Sequence, residues 1–153
     1  MNNDELSKPL IFRRVLLTID EDDPNSSTHA FRYATTLAHD YQVKLCIVSV
    51  LESDDLNIFD VMTPGKVDER ADNIKRTVDN YMKLAEDLGV NDVQGLTISA
   101  GDVDDVILDR VIPEFKPDLI VCGSDTDDAS HRVPGAVGLR IAKRANVSVI
   151  VVR

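Results

Sequence analysis

Apolar, β-rich runs alternate with stretches of helical periodicity along the whole chain, and this alternation constrains the fold more than any other feature. The runs are Arg14-Val-Leu-Leu-Thr-Ile-Asp20, residues 43–51, residues 93–99, Asp118-Leu-Ile-Val-Cys122 and Val147-Ser-Val-Ile-Val-Val152. Most are continuously apolar rather than alternating, as strands covered on both faces are. The third is more polar and reads as a sheet edge. Strands separated by helices pair in parallel, and right-handed crossovers wind the sheet both ways from its middle. The expectation is an α/β chain with one doubly wound, five-stranded parallel sheet in the order 3-2-1-4-5.

The intervening segments support that reading. Ser26 or Ser27 is placed to cap a helix carrying Ala30, Ala34, Leu37 and Tyr41. Residues 52–65 read as a polar connection ending in the breakers Pro64 and Gly65. Ile74, Val78, Tyr81, Ala85 and Leu88 mark a long helix over about residues 67–88, with Gly89 at its C-terminal cap. Val103, Ile107 and Val111 mark another, which Pro113 and Pro117 are expected to end. Val137, Ile141 and Ala145 share one face of a last, short helix. Residues 1–10 read as a polar tail and residues 11–153 as one domain.

Composition excludes several function classes. A net charge of −10 argues against nucleic acid and against an anionic membrane surface. No run approaches the roughly 18–20 apolar residues of a membrane span, and the opening segment lacks a hydrophobic signal core, so a cytoplasmic location is expected. Cys46 and Cys122 each fall inside an apolar run and read as buried free thiols, with no zinc-type spacing. His29 and His39 read as surface residues of the first helix.

In an open α/β sheet, ligands sit beyond the carboxyl ends of the strands, where the winding reverses. Here that point lies between the first and fourth strands. Asp20, Val50 and Gly123 converge on it. The segment Gly135-Ala-Val-Gly138 opens a helix close by, and free N–H groups at a helix start favour an anion.

Several segments together resemble the universal stress protein family over about residues 12–153. Val15-Leu-Leu-Thr-Ile-Asp20 is similar to the family's first strand and its terminal Asp. Ser27-x-x-Ala30-x-x-Tyr33-Ala34-x-x-Leu37-Ala38 resembles its first helix. Asp118-Leu-Ile-Val-Cys-Gly-Ser124 is similar to its fourth strand, and residues 135–153 to its last helix and strand. The resemblance implies a Rossmann-like fold of the adenine nucleotide alpha hydrolase type with an ATP-type cleft. Asp20 would face the ribose and base, and the Val50 backbone the adenine. Cys122 and Gly123 would line the same wall. Gly135, Ala136, Val137 and Gly138 would face the phosphates. Apart from the resemblance, Arg132 is placed either to clamp a phosphate or to pair with the local aspartates.

The phosphate loop departs from the family pattern Gly-x2-Gly-x9-Gly-[Ser/Thr]. Gly123 and Gly135 match, but Thr126 and Ala136 stand at the other two positions, and the second spacing is one residue short. Asp125, Asp127 and Asp128 outnumber Arg132 in that loop, an excess of two negative charges. A like-charge contact at about 4 Å costs on the order of 1 kcal/mol in water and more when desolvated. Bound ATP would therefore bring Mg²⁺ with it. No nucleophile–base pair, HExxH, Gly-x-Ser-x-Gly or Walker pattern occurs, so catalysis is expected to be at most slow, incidental ATP hydrolysis.

The closing run, Val147 to Val152, is an apolar edge that invites pairing with a second copy, and the resemblance also implies a homodimer through this strand. Three functions remain open at this point. The first is an adenine-nucleotide module, the second a nucleotide-free dimeric stress or scaffold protein acting through protein interactions, and the last, least favoured, a small enzyme on a related nucleotide-binding fold.

Overall fold

A computed structural model describes residues 2–20, 23–51, 58–99, 101–124 and 136–153, with Ala136 described by its backbone alone. The elements in chain order are α1 (Asn3–Leu6), β1 (Arg14–Thr18), α2 (Pro24–Tyr41), β2 (Lys44–Val50), α3 (Ile58–Met62), α4 (Lys66–Asp87) and β3 (Val93–Ile98). Then come α5 (Val103–Val106), a π turn (Ile107–Val111), α6 (Ile112–Phe115), β4 (Leu119–Gly123), α7 (Ala136–Arg144) and β5 (Ser148–Val152). All strand pairs are parallel and the order is β3-β2-β1-β4-β5. The sheet is the one expected from the apolar runs.

Successive strand residues point to opposite faces, which divides the core in two. Val15, Leu17, Leu45, Ile47, Leu119 and Val121 pack on one side with Ala30, Ala34 and Ala38 of α2 and with Val78 and Ala85 of α4. Leu16, Cys46, Val48 and Ile120 pack on the other with Ile107, Val111, Phe115 and Ile141. Each large aliphatic side chain so buried stabilises the fold by roughly 1.5–3 kcal/mol. The apolar runs are continuous because both faces need them. On α4, Ile74, Val78 and Ala85 are buried and the Tyr81 ring meets Phe31 edge-on at 5.0 Å, whereas Leu88 and, on α2, Tyr41 fall outside the core.

Three local expectations are corrected. The cap of α2 is Asp23, not Ser26 or Ser27: its side chain accepts from the Ser26 N–H at 3.3 Å. Pro24 then fills the first helical position, where its missing N–H costs nothing. The polar connection holds the one-turn α3, whose end is closed by Thr63 donating from its N–H and hydroxyl to the Phe59 carbonyl. Gly65, at φ 77°, then starts α4.

Pro113 does not end its helix. The backbone continues to Phe115 because a π turn precedes it, with Ile112 N–H reaching back to Ile107 O. That wider turn absorbs the clash of a proline ring with the carbonyl four residues earlier. The helix stops at Lys116, left-handed at φ 54°, immediately before Pro117. The opening segment carries a capped turn, α1, whose residues are exposed.

The strand ends are tied across the sheet. Asp118 accepts from the N–H groups of Arg13 and Arg14 at 2.8 and 2.9 Å, fixing the start of β4 beside the start of β1. Arg14 stacks its guanidinium 4.4 Å from the Phe115 ring centroid and donates to the Phe115 carbonyl. Both cysteines are buried and neither forms a disulfide. Among the described residues no helix is long and apolar enough to cross a membrane.

Candidate functional site at the sheet switch

The two central strands, β1 and β4, run side by side, with Val15 opposite Leu119 and Leu17 opposite Val121. From β1 the chain crosses to β2 on one side, and from β4 to β5 on the other, so their carboxyl ends flank the switch point. Asp20 follows β1, Val50 ends β2, and Cys122 and Gly123 end β4. The structure therefore brings these four expected residues to one edge.

Hydrogen bonds fix the loop that carries Asp20. Ile19 donates its N–H to Val48 O at 3.0 Å, which carries the β1–β2 pairing beyond the strand. Asp20 donates its N–H to the Ser27 hydroxyl at 2.8 Å, and that hydroxyl donates to Asp20 O at 3.0 Å. Asp23 N–H reaches the same carbonyl at 3.3 Å. Asp23 and Ser27 are only 4% and 2% exposed. The end of β2 is held as firmly: Leu51 donates to Ile98 O at 2.8 Å, and Val50 lies opposite Ile98.

Two glycines at this edge have steric reasons that involve no ligand. A Cβ on Gly123 would collide with the Ser26 hydroxyl and stand 2.6 Å from the Ser26 carbonyl oxygen. A Cβ on Gly138 would stand 2.7 Å from Cys122 Sγ and 2.9 Å from Val151 Cγ2. Gly123 lets the first turn of α2 lie on the end of β4. Gly138 lets α7 lie on β4 and β5. Gly138 thus joins the cluster through its contact with Cys122, and Val137 packs with the second core layer. Ala136 begins α7. Arg132, Gly135 and the loop acids lie outside the described residues.

An ion-pair cluster centred on the buried Asp104, with its partners half exposed, ties α7 to α5. Asp104 is 6% exposed and accepts from Arg140 Nε at 3.1 Å and Arg144 at 3.2 Å, while Asp105 takes a second bond from Arg144 at 2.6 Å. These acids hold the Arg144 guanidinium even further above its ordinary value, the Asp105 hydrogen bond contributing most. Cys46 lies inside the sheet, where burial pushes its thiol up to about 11. Among the described residues no group of three or more His, Cys, Asp or Glu side chains is arranged to hold a metal ion.

Sequence reasoning missed the part played by Ser26, Ser27 and Asp23. The serines entered only as caps, because a hydroxyl before a helix carries that signal first. The spacing of seven between Asp20 and Ser27 was the remaining trace.

The family profile described as the universal stress protein family matches residues 11–153. The solved universal stress protein UspA from Lactobacillus plantarum superposes with a TM-score of 0.79 at 22% identity, covering 95% of this chain and all of that one. A universal stress protein solved in complex with cAMP gives 0.67 at 19% identity, covering 94% of this chain and 98% of that one. The Archaeoglobus fulgidus universal stress protein in complex with dAMP gives 0.63 at 17% identity, covering 94% of this chain and 100% of that one. These structural likenesses carry the fold. A search of curated protein sequences gives no significant match.

Proposed function

The chain belongs to the universal stress protein family, and we propose that it serves in the cytoplasm as a homodimeric stress-response module that binds an adenine nucleotide at the sheet switch. The observation that carries this reading is the gathering of Asp20, Val50, Cys122 and Gly123 at the carboxyl ends of β1, β2 and β4, with the start of α7 beside them. Similar folds have been solved with cAMP and with dAMP, which supports an adenosine monophosphate as the unit held. Asp20 and the Val50 backbone take the ribose and adenine. The backbone at Ala136, Val137 and Gly138, with Gly135 and Arg132, takes the phosphate. The acidic loop makes a triphosphate dependent on Mg²⁺.

Release of bound nucleotide from the denatured protein, followed by calorimetric titration of AMP, and of ATP with and without Mg²⁺, tests the reading. The expected result is heat with AMP, and with ATP only when Mg²⁺ is present. No released nucleotide and no heat at millimolar ligand would sink it.

A second reading has its own support. Gly123 and Gly138 are required by packing, so both would persist in an empty cleft. A nucleotide-free dimeric scaffold is then the alternative, and the same titration separates the two.

The dimer rests on β5, an edge strand with Val151 39% exposed. Ile150 packs into the core, so Val151 is the better position to challenge. Val151→Lys should shift sedimentation toward monomer. An unchanged profile would remove β5 from the interface.

A further inference from the structure

Hydroxyls on α2 mostly serve the helix itself. Thr28, Thr35 and Thr36 each donate to the carbonyl four residues back, at 2.7 to 2.8 Å. Ser27 departs from that habit. Its backbone N–H bonds Asp23 O, as the helix requires, but its hydroxyl reaches seven residues back to Asp20. The cap position that a serine here would ordinarily fill is already held by Asp23. The hydroxyl is thus committed to the loop, accepting from the Asp20 N–H and donating to the Asp20 carbonyl, at a site 2% exposed.

We propose that Ser27 is the positioning residue of the nucleotide cleft: its hydroxyl fixes the Asp20 peptide and so sets where the Asp20 carboxylate meets the ribose of a bound adenine nucleotide. The role rests on the cleft assignment made above. Two hydrogen bonds to one residue, in a buried place, remove the freedom of a loop that otherwise hangs between a strand end and a helix start. The neighbouring turn bond from Asp23 N–H to the same Asp20 carbonyl closes the loop from the other side. Asp20 is thereby pre-set on rigid elements before any ligand arrives.

The test uses AMP as the probe and the full chain, with Ser27→Ala, Ser27→Thr, Asp20→Ala and the Ser27→Ala/Asp20→Ala pair. Ser27→Ala should weaken AMP binding about tenfold, the worth of one buried hydrogen-bonded contact expressed as affinity. Ser27→Thr, which keeps the hydroxyl, should recover most of it. In the Asp20→Ala background, Ser27→Ala should add nothing, because the residue acts through Asp20. Full additivity of the two changes, or unaltered affinity in Ser27→Ala, overturns the proposal.

Hydrogen exchange supplies a readout without ligand. The Asp20 amide should lose its protection in Ser27→Ala while the amides of the later turns of α2 keep theirs. Equal protection in both proteins overturns the clamp itself. A wild-type chain that takes up no AMP overturns the cleft assignment and the binding role together, while the exchange result still decides whether Ser27 holds the loop.

Discussion

Gly138 on α7 stands so close to Cys122 on β4 that a Cβ added to the glycine would lie 2.7 Å from the sulfur. The helix therefore rests on the sheet at the one position that carries no side chain. Gly138→Ala must push α7 outward or displace Cys122. Overpacking of this kind costs about 1–3 kcal/mol. Urea denaturation should give a lower midpoint with an unchanged slope. A midpoint equal to the wild type would show that the contact yields freely.

Asp104 is the only acid shared between Arg140 and Arg144 among the described ion pairs. Asp104→Asn removes the charge and keeps the shape, leaving both arginines less well paired. The melting temperature should fall by about 3–6 °C, as a loss on the order of 1–2 kcal/mol implies for a chain of this size. Arg144→Ala should do less, since it leaves Arg140 on Asp104. The opposite ranking in a melting series would refute the shared-acid account.

The capping assignment separates two neighbours. Asp23→Ala should cost about 1 kcal/mol through loss of the bond to the Ser26 N–H. Ser26→Ala keeps that bond, because the N–H belongs to the backbone, and should cost clearly less. Equal losses in chemical denaturation would return the cap to the serines.

Cys46 makes a prediction in alkaline solution. Its thiol is raised by burial from an ordinary 9.0 to about 11, against weaker opposing effects of the Gln94 hydrogen bond and Arg14. Between those two values the unfolded chain releases the proton and the folded one keeps it. The folded state then binds more protons, so stability falls as pH rises. This contribution is whole below pH 9 and gone above about 11. It amounts to about 3 kcal/mol at most. Stability curves over that window should be flatter for Cys46→Ala than for the wild type. Parallel curves would mean that the thiol is not the group responsible.

Much of this architecture was legible because the sheet is covered twice. Val15, Leu16 and Leu17 are all fully buried, so β1 is a continuous apolar run that no helix period mimics. Asp20, Val50 and Gly123 could be placed because strand ends follow from strand order. What escaped was set by geometry between distant segments. Ser26 reads as a cap until Asp23 is seen to occupy that place. Pro113 reads as a stop until the π turn upstream makes room for it. The four apolar residues of α3, Ile58, Phe59, Val61 and Met62, stay exposed, so burial gave the sequence no period to show. Gly123 and Gly138 read as ligand-facing because a sequence carries no neighbours. In the fold each meets a side chain from another element.

The strand order also decides when this chain can become a protein during synthesis. β1 is flanked by β2, which follows it closely, and by β4, whose Leu119 pairs with Val15 from the far end of the chain. A nascent chain that has emerged only as far as α4 exposes one whole edge of β1, whose Val15, Leu16 and Leu17 are fully buried in the finished fold. Closure waits until β4 leaves the ribosome, and a contact spanning that much sequence is slow to form. The interval in which β1 lies uncovered is the period when a chaperone has most to offer this chain.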